Sequence, residues 1–93
     1  MVTAIVLIQV QRAYIEDTAQ AISHLEGVSE VYTVAGEWDV VAMVRVRTHE
    51  EIADVVASRM LHIPGIDRTK TLVALRSYST LDLESLLAAA AKK

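Results

Sequence analysis

Gly36, Glu37, Trp38 and Asp39 are the residues best placed to do chemistry. They sit between two apolar, strand-like runs, Val28 to Ala35 and Val40 to Val46. Gly36 accepts a positive φ at no steric cost, so Gly36-Glu37 suits a two-residue type II′ hairpin loop. Such a loop presents backbone amides, two acids and an indole at the mouth of a hairpin, which is recognition chemistry for a small polar ligand. Asp39 then falls two residues into the second strand, an unfavourable place for Asp. Two readings of it stand side by side: its carboxylate bonds to loop amides and holds the turn, or it faces a ligand together with the Gly36 backbone. Trp38 is the only Trp and is expected at an interface. Thr69 and Thr71 alternate onto one face of a later strand, either as ordinary strand residues or as ligand contacts.

Catalytic patterns do not emerge elsewhere. His24, His49 and His62 have no histidine partner three or four residues away and form no H-E-x-x-H. His49-Glu50-Glu51 is explained by charge near a helix N-terminus. Ser23, Ser29, Ser58, Ser77, Ser79 and Ser85 lack a G-x-S-x-G setting. The three glycines each sit at a turn, so there is no glycine-rich phosphate loop. Glu16-Asp17 and Glu50-Glu51 read as solvated helix pairs rather than acids facing one cleft. The absence of cysteine excludes disulfides, thiolate catalysis and cysteine-based zinc sites. No metal, cofactor or catalytic residue is therefore expected, and the chain reads as a non-enzyme.

Net charge is −3, and basic residues are dispersed apart from Lys92-Lys93. Autonomous nucleic-acid binding needs a basic face, so it is not expected. No apolar run approaches a membrane span. Residues 2 to 10 are apolar, but no basic segment precedes them and no small-residue cleavage site follows. They read as a strand, and the cytoplasm is the expected location.

The elements that must position the loop follow from periodicity. Ninety-three residues make one domain, and 53% are apolar with no Phe, so the core is Val, Ile, Leu and Ala. Val2 to Gln11 reads as a central strand. Ile15, Ala19, Ile22 and Leu25 mark one face of a helix over Tyr14 to Leu25, with no clear cap at its start. Gly27 suits a left-handed stop. The hairpin takes up 28 to 35 and 38 to 47. Thr48-His49-Glu50-Glu51 is a capping box, in which the Thr48 hydroxyl takes the Glu51 amide and Glu51 reaches back. Ile52, Val55, Val56, Met60 and Ile63 mark a second helix, ended by Pro64-Gly65. Ile66 to Tyr78 reads as a fourth strand. After it, Leu83, Leu86, Leu87 and Ala90 form the stripe of a tail helix within 79–93.

The order β-α-β-β-α-β is the split βαβ, ferredoxin-like arrangement, with two helices on one face of a four-stranded antiparallel sheet. A weak repeat supports it: Leu25-Glu26-Gly27-Val28 and Ile63-Pro64-Gly65-Ile66 each close a helix. Residues 4 to 8 and 40 to 44 are apolar without alternation, so the second face of the sheet must also be covered. Two sheets packed face to face in a two-fold dimer answer that need.

These residues carry a resemblance. Leu25-x-Gly27-Val28, then Val34-Ala35-Gly36-Glu37-Trp38-Asp39, then Leu61-His62-Ile63-Pro64-Gly65-Ile66-Asp67-Arg68-Thr69-x-Thr71 resembles the effector-binding (RAM) domain of the Lrp/AsnC transcriptional regulators, over residues 2 to 78. The resemblance implies a βαββαβ fold paired into a dimeric α/β barrel, often as a ring of four dimers. It also implies small effectors, usually amino acids, bound between dimers near the loop. Gly36, Glu37, Trp38, Asp39, Thr69 and Thr71 would then be effector-binding. Asp39 would take the ligand ammonium, and the Gly36 loop amides its carboxylate. Family members typically begin with a helix-turn-helix domain, whereas this sequence starts almost at the first strand. It thus resembles the stand-alone RAM proteins, which implies regulation of transcription without direct DNA binding, including through mixed oligomers with full-length relatives. Domain boundaries of 1–78 and a tail of 79–93 follow. The alternative is a cofactor-free enzyme on the same barrel, of monooxygenase or isomerase type. An ACT-like module fits less well, because ACT domains pair sheets side by side and tolerate a more polar face.

Overall fold

The computed structural model describes residues 1–78. Its strands are β1 (Val2–Val10), β2 (Val28–Thr33), β3 (Val40–Val46) and β4 (Ile66–Val73). Helix α1 (Ile15–Ser23) follows a 3₁₀ turn, Arg12–Tyr14. The second helical segment begins as α2 (His49–Ala53), continues as π-helical Asp54–Arg59 and ends in a 3₁₀ turn, Met60–His62. The sheet is antiparallel with order β2-β3-β1-β4, the ferredoxin-like arrangement expected from the sequence. The expected tail helix lies outside the described residues.

Strand alternation sorts the apolar residues into two layers. In β1, Ala4, Val6, Ile8 and Val10 point to the helices and are buried; in β3, Val40, Ala42, Val44 and Val46 do the same. Ile22 of α1 and Ile52, Val55 and Met60 of the second segment close over them. Burying each of these larger aliphatic side chains contributes roughly 1.5–3 kcal/mol. Thr18 is the one buried polar residue of the described chain, and its hydroxyl donates to the Pro64 carbonyl at 3.1 Å. That bond ties α1 to the turn before β4.

The other face of the sheet is apolar but only half covered. Register places Tyr32, Val41, Leu7 and Lys70 in one row across it, and Glu30, Met43, Ile5 and Leu72 in the next. Ile5, Leu7, Val41 and Met43 are half-buried, while Leu72 and Tyr32 are exposed. The unbroken apolar runs at 4–8 and 40–44 thus do serve two faces, and one chain buries only one of them fully.

Three expectations need correction. The link between β2 and β3 is not a two-residue loop: pairing stops at Thr33↔Val40 and six residues intervene. Asp39 therefore precedes β3 instead of lying two residues inside it. Thr48 Oγ1 does accept the Glu51 amide at 3.3 Å, but the Glu51 carboxylate reaches the Arg47 amide at 3.4 Å, one residue before the cap. The fourth strand ends at Val73, with one further ladder bond from the Ala74 amide to Thr3 O.

The sequence repeat has a backbone counterpart, since Gly27 and Gly65 have φ of 95° and 94°. A Cβ on Gly27 would meet Val55 Cγ2 at 2.7 Å and Val46 Cγ1 at 3.1 Å, both in the core layer. Gly27→Ala combines a left-handed residue with overpacking, which typically costs about 1–3 kcal/mol. Urea unfolding should show that loss at an unchanged slope.

Candidate functional site

The six residues from Val34 to Asp39 fold over the end of β1. The Val34 amide donates to Asp39 O at 2.9 Å, and the Asp39 amide donates to Ile8 O at 3.0 Å. Those two bonds close the loop and anchor its base on the central strand. Gly36 has φ of 133° with open space around it, so its requirement is conformational rather than steric. Gln9 Nε2 donates to Glu37 O at 3.1 Å and holds the loop's outer side.

Asp39 makes a specific contact. Pairing of β1 with β3 ends at Ile8↔Val40, so the Val10 amide has no β3 carbonyl opposite it. Asp39 Oδ2 accepts that amide at 2.8 Å. A part-buried amide left unpaired is costly, and the carboxylate continues the ladder where the backbone turns away. This resembles the turn-holding reading, except that the partner is on β1 and not within the loop.

The structure does not bring all six sequence candidates together. Gly36, Glu37, Trp38 and Asp39 share the loop. Thr69 lies opposite Ile8, near its base, whereas Thr71 lies opposite Val6, farther along the sheet. Ile8 and Val6 face the helices, so Thr69 and Thr71 stand on the helix side. The Trp38 ring instead lies against Arg68, which pairs with Gln9 on the open face. Three clefts formed by described residues, of about 380, 470 and 250 Å³, are lined by none of the six. At this place the described residues supply a loop and a strand edge.

Sequence reasoning missed a second polar cluster. Arg45 Nη1 donates to Ser29 Oγ at 2.6 Å and to Glu30 Oε1 at 2.8 Å, and the Tyr32 hydroxyl donates to Glu30 Oε2. A β2 irregularity between Val28 and Glu30 brings these groups side by side on the open face, next to its apolar centre. The i, i+2 spacing of Glu30 and Tyr32 was visible in the sequence; the register that adds Arg45 was not. The Tyr32 hydroxyl, and then Arg45, hold the Glu30 carboxyl below its ordinary range, and the same bond pushes the Tyr32 phenol up. Among the described residues no cluster of three His, Asp or Glu could hold a metal ion, and no helix is long and apolar enough to cross a membrane.

Two outcomes follow. Asp39→Ala removes the acceptor of a part-buried amide and should cost about 1–3 kcal/mol in chemical denaturation; Asp39→Asn, which keeps an acceptor oxygen, should recover most of it. For Glu30, a folded-state pKa below the unfolded one means a contribution that is present above the unfolded pKa and lost as pH falls through the folded value. Acid titration of stability should therefore be shallower in Glu30→Gln than in the parent below the ordinary carboxylate pKa. The pair is exposed, so the difference should be small and should shrink in high salt.

Residues 3–82 match the family model of the Lrp/AsnC ligand binding domain. TTHA0845 from Thermus thermophilus, a crystal structure, superposes with a TM-score of 0.81 at 43% identity, covering 85% of this chain and 99% of that one. The HTH-type transcriptional regulator FL11 of Pyrococcus abyssi is 31% identical over 78 residues, 81% of this chain and 49% of FL11. A feast or famine regulatory protein from M. tuberculosis (Rv3291c), complexed with L-methionine, is 28% identical with a TM-score of 0.72, covering 87% of this chain and 55% of that one. The chain spans between 37% and 49% of the length of the curated relatives it matches. With the family model matching nearly all of the described residues, the chain belongs to the Lrp/AsnC ligand-binding domain family.

Proposed function

We propose that this chain is a non-enzymatic, effector-sensing and self-associating module of transcription regulation whose effector is an amino acid. The observation that carries the reading is the loop from Gly36 to Asp39, pinned to β1 by Asp39, in a chain of this family. The L-methionine complex of the M. tuberculosis relative supports an amino acid as the ligand class. Gly36, Glu37, Trp38 and Asp39 are this chain's share of the pocket, Thr69 and Thr71 stand on the other side of the sheet from Trp38, and a neighbouring copy supplies the rest. The openness of the loop in a single chain favours that division.

Self-association is supported by the half-covered face. Ile5, Leu7, Val41, Met43 and Leu72 form a contiguous apolar surface, and covering it with a second copy gives a dimeric α/β barrel. Dimers then assemble into larger rings, and mixed oligomers with full-length relatives follow the same pairing. The enzyme alternative is disfavoured by the layer between sheet and helices. Ala4, Val6, Ile8, Val40, Ala42 and Val44 line it, and the one polar side chain buried there among the described residues, Thr18, has its hydroxyl engaged by the Pro64 carbonyl. A ligand regulates through its differential affinity for two assembly states.

A thermal-shift panel of the standard L-amino acids, with molar mass measured in the same buffer, tests this. A ligand at 100 times its Kd adds about 2.7 kcal/mol, so one amino acid or a related group should raise the melting temperature and alter the mass distribution. A monomer with no response to any amino acid would overturn the reading.

A further inference from the structure

β4 contains one irregularity, and it lies beside the loop. Val10 pairs with Ile66 and Gln9 with Arg68, which leaves Asp67 as an extra residue. In an unbroken strand Ile66 and Arg68, two apart, would share a face. The bulge separates them. Ile66 follows Val10 to the helix side and packs against the core, while Arg68 follows Gln9 to the open face. Asp67 itself accepts a long bond from Gln11 Nε2 at 3.5 Å.

On the open face the Arg68 guanidinium carbon lies 5.0 Å from the centroid of the Trp38 ring, within cation–π range. Trp38 is half-buried, and its loop is fixed by the Gln9 bond to Glu37 O and by Asp39, so the indole is a firm platform. Arg68 is exposed, and the ion pair among the described residues is Arg45 with Glu30, not Arg68. The guanidinium carries its N–H donors in one rigid, planar fork. That planar fork matches a carboxylate through two parallel bonds. Asp39, in contrast, has an oxygen engaged by the Val10 amide.

We propose that Arg68, seated on Trp38, anchors the carboxylate of the effector, in place of the loop amides. A carboxylate is then the obligatory group of any ligand of this loop, and the bulge at Asp67 is the device that aims its receptor. This rests on reading the chain as an effector-binding module, and the test separates the two.

Trp38 is the only Trp, so its fluorescence reports directly on the Arg68 contact. Wild type, Arg68→Gln and Arg68→Lys are titrated with the standard L-amino acids, their α-carboxamides, acetate and succinate. The expected result is a saturable fluorescence change with at least one amino acid and none with its carboxamide. Its Kd should weaken at least tenfold in Arg68→Gln and less in Arg68→Lys, with melting temperatures of the free proteins unchanged. Equal affinity in wild type and Arg68→Gln, or equal binding of acid and carboxamide, overturns the assignment and leaves the effector-module reading standing. Binding of acetate or succinate alone, lost in Arg68→Gln, supports the carboxylate anchor while the amino-acid reading fails. Silence from every carboxylate overturns the anchor.

Discussion

β1 is paired on both sides, with β3 and with β4, so its backbone polar groups are committed along its length and its side chains have two directions to go. Ala4, Val6, Ile8 and Val10 go to the helices; Ile5, Leu7 and Gln9 go to the open face. Because the side-chain period is two, a slip of one residue would exchange those sets. Polar contacts at the C-terminal end of the strand hold the register. Asp39 takes the Val10 amide, the Asp39 amide goes to Ile8 O, and the Gln11 amide goes to Gly65 O at 2.9 Å.

That end of β1 is also where the candidate site lies, and the coincidence has a physical basis. A central strand that outruns one neighbour leaves amides to be satisfied by whatever loop crosses its end. A loop that satisfies them is rigid enough to present its remaining groups to a ligand. Asp39 therefore has a structural role first, and Trp38 is positioned as a consequence. The bulge in β4 acts in the same place, because dropping Asp67 out of the alternation lets Ile66 stay in the core while Arg68 reaches the indole.

Much of the architecture was legible in the chain. Period-two and period-3.6 patterns gave the element order, Pro64-Gly65 marked the stop before β4, and Thr48 declared its cap. The apolar runs at 4–8 and 40–44 foretold a second face needing cover, and the structure leaves that face half covered. The loop length was misread, because Gly36-Glu37 has the composition of a tight hairpin turn. The actual loop is longer because β1 extends past the end of β3 pairing, and the loop must reach across to it. The site was legible only in part. The motif located the loop, but Thr69 and Thr71, on the helix side, do not join Trp38 on the open face. Arg68 stands within the motif, yet nothing in the sequence pattern distinguishes it from an ordinary exposed strand residue.

The sequence by itself determined the fold class, the apolar faces of the helices and the position of the loop from Gly36 to Asp39, since these depend on local periodicity, turn chemistry and glycine backbone freedom. Only the tertiary structure decided which polar groups meet. Val10 and Asp39, Trp38 and Arg68, and Arg45 and Glu30 are pairs 29, 30 and 15 positions apart, brought together by strand register and by bulges of a single residue. Local patterns do not encode where a strand will skip one residue, because the skip is set by the fit of both faces at once. At Asp67 that fit is between the core, which takes Ile66, and the open face, which takes Arg68.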